Sequence, residues 1–99
     1  MIESVANVKT DRPERYLKQL VSHLGRKVDS EQSDDGGSGT LTFSSGSCAL
    51  TAEPGVLVLA VRAEDEERLA AVQDVVARHL VRFATQDELA VEWSAGVEA

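Results

Sequence analysis

Two histidines and one cysteine are the side chains of this 99-residue sequence best suited to metal binding or nucleophilic chemistry. His23, Cys48 and His79 offer the imidazole and thiolate ligands that zinc and iron accept. Their separations match no short metal-binding motif, so only the fold could bring them together. Cys48 is in phase with Leu50 in a predicted strand, which favours its burial as a small apolar side chain. A structural or surface role is the more ordinary interpretation of both histidines, and we assign no metal ligand.

The same residues can be combined into a hydrolase-like triad, which is the least favoured alternative. Cys48 would be the nucleophile, His79 the base and Asp87 the group that orients the base. No sharp turn surrounds Cys48, because Ser47 and Ala49 continue a predicted strand. We therefore predict no catalytic residue.

Basic and polar side chains on two predicted helices form a candidate surface for an anionic ligand, and Arg78 adds to it. The residues that we expect to bind the ligand are Arg15, Tyr16, Gln19, His23, His79 and Arg82. Such a surface suits a carboxylate or a catecholate. Surface charges paired with the many carboxylates are the simpler explanation, and a pairing of Arg82 with Glu88 would make that arginine structural. Tyr16 lies in an apolar stripe, which is more typical of a core residue.

Two amphipathic helices must position these side chains. Apolar residues recur at spacings of three and four over residues 63–83, which predicts a long helix with one apolar stripe. A shorter helix is predicted to begin near Asp11, which would cap it, with Pro13 in its first turn and Gly25 at its end. Because both stripes need an apolar surface, both helices are expected on one face of a sheet. That arrangement would allow His23 and His79 to be neighbours.

Five segments have the alternation or apolar character of strands. They are residues 2–9, 40–43, 47–52, 56–61 and 89–93. The order β-α-β-β-β-α-β predicts an α+β fold, a two-layer sandwich with a mostly antiparallel five-stranded sheet and two helices on one face. Residues 29–38 contain no apolar side chain and are predicted to be a mobile acidic Gly/Ser loop, and residues 94–99 a frayed tail.

Composition limits the classes of function. The length predicts a single domain over residues 1–99. A net charge of −7, from 17 acidic and 10 basic residues, repels phosphate backbones, so we expect no nucleic-acid partner. No apolar segment approaches the roughly 20 residues that cross a bilayer, and no secretion signal is visible, so we expect no membrane association. One cysteine allows no intrachain disulfide, which suits a cytoplasmic protein.

Three blocks of the sequence are distinctive when taken together. They are Arg-Tyr-Leu-Lys-Gln-Leu at residues 15–20 with His23, Gly-Ser-Cys-Ala-Leu at residues 46–50, and His-Leu-Val-Arg-Phe-Ala at residues 79–84 followed by Glu88, Leu89 and Trp93. In these blocks the chain resembles the uncharacterised bacterial domain-of-unknown-function family 2218, over nearly its whole length. Where that family often has a second histidine before the lysine after the first helix, this chain has Arg26.

The resemblance implies no known reaction. Relatives joined to, or encoded near, siderophore-interacting flavoproteins imply an accessory role in iron handling, which is an association rather than a mechanism. We therefore expect a small binding or accessory protein without a cofactor. Its expected partner is a siderophore-interacting flavoprotein, or a second copy of the chain paired through an open sheet edge. A small-ligand or metal-binding protein that uses His23, His79 and adjacent basic residues is the alternative, and an enzyme is the third.

Overall fold

One antiparallel sheet with both helices on the same face forms the fold of this computed structural model, which describes residues 1–83 and 89–98. The strands are β1 (Ile2–Lys9), β2 (Asp29–Gln32), β3 (Ser38–Thr42), β4 (Gly46–Glu53), β5 (Val56–Ala63) and β6 (Val97–Glu98), and the helices are α1 (Pro13–Leu24) and α2 (Glu66–Phe83). The order of strands across the sheet is β2-β3-β4-β5-β1-β6. The predicted α+β class and the placement of the helices are confirmed, with six strands in place of five.

Strand β5 lies in the interior of the sheet, as its nearly unbroken apolar sequence predicts. Along its whole length it pairs with β4 on one side and with β1 on the other. Leu57, Leu59 and Val61 alternate onto the face beneath the helices and are fully buried. Val58 and Ala60, on the opposite face, are only half-buried. The core therefore lies between one face of the sheet and the two helices.

The buried stripes of the helices cover this face of the sheet. The buried residues are Tyr16, Leu17, Leu20, Val21 and Leu24 on α1 and Leu69, Val72, Val76 and Leu80 on α2. Helix α1 packs over β3 and β4, and α2 packs over β5, β4 and β1. On β1 the residues beneath the helix layer include Ser4, Ala6 and Val8, which are small enough to be fully covered by it.

The start of each helix differs from the sequence expectation, whereas the end of α1 agrees with it. Arg12 is the N-cap residue of α1 and its side chain makes no capping hydrogen bond, so the predicted cap by Asp11 is wrong. Helix α2 begins at Glu66 because Ala63 is still paired in β5, and the carboxylate of Asp65 accepts the Arg68 N–H at 2.8 Å. Pro13 in the first turn of α1 and the stop at Gly25 are confirmed.

Strand β2 lies within residues 29–38, which the sequence predicts as a loop. All four residues of β2 are exposed, and β2 pairs along its length with β3, so backbone hydrogen bonds rather than apolar burial hold it in the sheet. A compact turn follows, in which the Asp35 carboxylate accepts hydrogen bonds from Ser33 Oγ at 2.6 Å and Gly37 N–H at 2.8 Å. These hydrogen bonds lower the pKa of Asp35. The mobility of this segment stays a prediction.

The C-terminal segment contacts β1 in a different way from the predicted strand over residues 89–93. Only Trp93 of that range forms a bridge, opposite Ala6, and β6 pairs with the first two residues of β1. Between these contacts Ser94 donates its N–H to Val5 O at 2.9 Å and accepts the Val5 N–H at its Oγ. The three residues 94–96 lie opposite two residues of β1. The C-terminal segment therefore has one extra residue here, as in a β-bulge.

The fraying predicted for residues 94–99 stays a prediction, although residues 94–98 make the contacts just described. The predicted turn between α2 and the last strand, with Asp87 and Glu88, lies outside the described residues. Neither described helix has the length and apolar character that a membrane span requires.

We expect Leu59→Ala to lower the free energy of unfolding by about 2–5 kcal/mol, because it leaves a cavity in the core between the sheet and the helices. Val58→Ala is the matched control, since Val58 is the adjacent residue on the half-exposed face of the same strand, and its cost should be about 1 kcal/mol. Urea denaturation followed by circular dichroism measures both values. Equal losses would contradict the assignment of the core to the helix-covered face.

Candidate functional site

The adjacent ends of the two helices bring His23 and His79 together. His23 lies in the last turn of α1, and His79 lies one turn before the end of α2. Their ring centroids are 5.3 Å apart and the ring planes are inclined by 46°. Because the two apolar stripes cover the same face of the sheet, the helices contact each other and the imidazoles meet at their surface. The expected proximity of the two histidines is confirmed.

Phe83 forms an apolar wall beside this histidine pair. Its ring meets the ring of His23 edge-on, with centroids 5.1 Å apart and an interplanar angle of 77°. His23 is exposed, whereas His79 and Phe83 are half-buried. Phe83 is the last residue of the apolar stripe predicted over residues 63–83, and the sequence did not predict its contact with His23. The available signal was its position one helical turn after His79, since residues four apart on a helix are neighbours.

A backbone hydrogen bond fixes the orientation of the His79 ring. Nδ1 lies 2.7 Å from the carbonyl oxygen of Val75, one turn earlier in α2. Because a carbonyl oxygen can only accept, Nδ1 carries the proton and donates it. In the neutral imidazole the unprotonated nitrogen is then Nε2, which is available to accept a hydrogen bond or to bind a metal.

A basic depression of about 460 Å³ adjoins the histidine pair and is lined by Arg78, His79 and Arg82. The Arg78 guanidinium lies 3.7 Å from the carboxylate of Asp74, but both side chains are exposed, so this pair is weak. Arg82 has no ion pair within residues 1–83 and 89–98. Its predicted partner Glu88 lies outside the described residues, so the pairing stays a prediction. The depression therefore presents two guanidinium groups to an incoming ligand.

The remaining expected ligand-binding residues lie apart from the basic depression or within the core. Tyr16 is buried in the core, in line with its position in the apolar stripe. Gln19 precedes His23 by one helical turn and is half-buried, and its Oε1 atom is buried without a hydrogen-bond partner in the described part of the chain. Arg15 is exposed and lines a separate depression beside the β4–β5 turn, together with Glu53 and Gly55. The structure thus groups His23, His79 and Arg82 and separates Arg15 from them.

The environment of Cys48 does not suit a nucleophile. Its side chain is fully buried on the helix-covered face of β4, and burial raises the pKa of the thiol to about 12. The third member of the hydrolase-like triad, Asp87, lies outside the described residues. Over residues 1–83 and 89–98, no three side chains of histidine, cysteine, aspartate or glutamate converge as metal ligands. The site that remains is the histidine pair with its neighbouring arginines.

Comparisons with known proteins give a family and a fold. The model of a family described as "Uncharacterized protein conserved in bacteria (DUF2218)" matches residues 5–94. The NMR structure of PA4090 from Pseudomonas aeruginosa is similar, with a TM-score of 0.79 and 33% sequence identity over 96% of this chain and 97% of that chain. No curated protein matches the sequence.

We expect the Cys48 thiol to resist alkylation by iodoacetamide in the native protein at pH 8. The rise of its pKa from 9.0 to about 12 lowers the thiolate fraction roughly a thousandfold, and the side chain is out of contact with solvent. Labelling followed by mass spectrometry should be fast only after unfolding in urea. A Cys48→Ala, Ser22→Cys double variant supplies an exposed thiol on α1 that should react rapidly. Equally fast native labelling of Cys48 would contradict its burial.

Proposed function

We propose that this chain, which belongs to the uncharacterised bacterial domain-of-unknown-function family 2218, is a small module that binds an anionic ligand. The observation that carries the proposal is the depression lined by Arg78, His79 and Arg82 in a chain whose net charge is −7. Two arginines beside an imidazole reverse the overall negative charge locally. Such a depression attracts an anion while the rest of the surface repels it.

The arginines supply the hydrogen bonds that an anionic group requires. A guanidinium presents several donors in a planar fork that matches a carboxylate, and these charge-assisted hydrogen bonds are stronger than neutral ones. The C-terminal end of α2 carries about half of a negative charge from the helix dipole, which Arg82 in the last turn offsets. The positive charge of Arg82 that the dipole does not offset, together with that of Arg78, is available to a ligand.

The size and walls of the depression favour a small organic anion. Its volume of about 460 Å³ lies within the range of small-molecule sites, roughly 300–1,000 Å³. The imidazole of His79, which lines the depression, provides a flat surface against which an aromatic ligand can pack. A catecholate or an aromatic carboxylate combines both features, so these are the ligand classes that we propose.

An accessory role in siderophore-linked iron handling is the finer form of this proposal. It rests on the expected association of relatives with siderophore-interacting flavoproteins and on the suitability of a basic depression for an anionic iron chelator. The partner that we favour is a siderophore-interacting flavoprotein, and the compartment that we propose for the interaction is the cytoplasm. A second copy of the chain is less favoured at the β2 edge of the sheet, because Asp29 and Glu31 would repel the same residues of a second edge.

We expect Arg82→Gln to weaken the binding of 2,3-dihydroxybenzoate about tenfold or more, because it removes a charged donor whose hydrogen bond contributes roughly 1.5–3 kcal/mol. Titration of the ¹⁵N-labelled protein with this anion in the presence of EDTA should shift the amide signals of residues 78–83. The affinity should fall as salt concentration rises.

Arg68→Gln is the matched control for this titration. Arg68 is an arginine of the same helix, but it lies more than three turns away, roughly 20 Å along the axis, and pairs with Glu64 and Asp65. This variant should bind the anion as the wild type does. An equal loss in both variants, or the absence of any shift in the wild type at millimolar anion, would contradict the proposed site.

A further inference from the structure

We propose that His23 and His79 form a two-imidazole binding site for a divalent transition metal such as Zn²⁺ or Ni²⁺. Imidazole nitrogens suit these metals, whereas Ca²⁺ and Mg²⁺ require a set of oxygen ligands. Two protein ligands leave further coordination positions to water or to an exogenous anion. The site goes beyond anion binding, because metal binding by the two rings does not require the arginines.

The distance between the rings already fits coordination of one metal ion. Two imidazoles bound to a tetrahedral metal by bonds of about 2.0–2.1 Å have ring centroids about 5 Å apart. The centroids of His23 and His79 are 5.3 Å apart. Their planes are inclined by 46°, so the rings are not stacked face to face. The His23 ring is exposed, and rotation about its Cβ–Cγ bond can turn a ring nitrogen toward a shared ion.

The hydrogen bond of His79 has the form found around metal-binding histidines. A ligating histidine characteristically donates its other ring N–H to a carboxylate, a backbone carbonyl or water, which fixes the tautomer and the ring orientation. His79 Nδ1 donates to Val75 O at 2.7 Å, and this leaves Nε2 as the nitrogen that can bind metal. The acceptor belongs to the backbone of the same helix, so the ring orientation is a property of α2 itself.

The helices hold the two ligands near each other before any metal arrives. Leu20 and Leu24 anchor the end of α1 in the core, and Val76 and Leu80 anchor α2 on either side of His79. The edge of Phe83 supports the His23 ring. Because the fold itself brings the ligands together, a metal ion does not have to order the chain in order to bind.

The charges around the pair set the strength and the selectivity of the site. Arg78 and Arg82 oppose the approach of a cation, although Asp74 compensates part of the charge of Arg78. The bonds from imidazole nitrogens to the metal must therefore supply the affinity. The same arginines would stabilise an anion that occupies the open coordination positions.

Zinc titration of the untagged protein, with histidine rings labelled with ¹⁵N, tests the site directly. In a non-coordinating buffer at pH 7.5 and without added organic anion, the ring nitrogens of His23 and His79 should shift together and saturate at one Zn²⁺ per chain. The test is separate from the anion titration, which contains EDTA and no metal. Failure of one experiment therefore leaves the other interpretable.

Two variants and one control complete the test. His23→Gln and His79→Gln should each weaken Zn²⁺ binding by roughly 10- to 100-fold or more. Loss of a residue that only hydrogen-bonds a metal ligand already costs that much, and each of these variants removes a ligand itself. Arg68→Gln is the control and should leave Zn²⁺ binding unchanged, because Arg68 lies about three turns before His79, roughly 16 Å along the helix axis, and pairs with Glu64 and Asp65. Amide spectra verify that each variant is folded, and the wild-type titration does not depend on them. A shift of only one ring, saturation at no defined stoichiometry, or binding that survives in both histidine variants would overturn the proposal.

Discussion

Burial of two apolar helical stripes against one face of an antiparallel sheet is the constraint on which the rest of the structure depends. Each helix can remove its stripe from water only by lying on the apolar side of β3, β4, β5 and β1. Two helices on one face of a small sheet must contact each other, and the residues at that contact become neighbours. The meeting of His23 and His79 is therefore a consequence of core formation.

The sequence reveals the parts of the fold that are held by apolar burial. Alternation and helical periodicity locate β1, β3, β4, β5 and both helices, and they predict the central position of β5. The sequence does not reveal β2 or β6, because both are short, exposed edge strands held by backbone hydrogen bonds. Every residue has those groups, so residue types carry no signal for such pairing.

Prediction of the site has the same physical limit. The proximity of His23 and His79 follows from the shared sheet face, which the apolar stripes indicate. Arg15 has the same residue type as Arg82, yet it lies beside the β4–β5 turn, because it stands two helical turns before His23. The family model shows the lineage and the similar solved structure shows the fold, but neither states an activity. Function must therefore be argued from the side chains of the site.

The pairing of β1 with β5 has a consequence for the way this chain is synthesised. Ile2 pairs with Ala63 and Lys9 with Val56, so β1 leaves the ribosome before its partner β5 and must wait until α1, β2, β3 and β4 have also been synthesised. Such a distant contact gains its stabilisation only after a large loop has closed, which slows folding. Until β5 emerges, β1 has an unpaired edge and exposed apolar residues, and such a segment is open to chaperones and prone to aggregation.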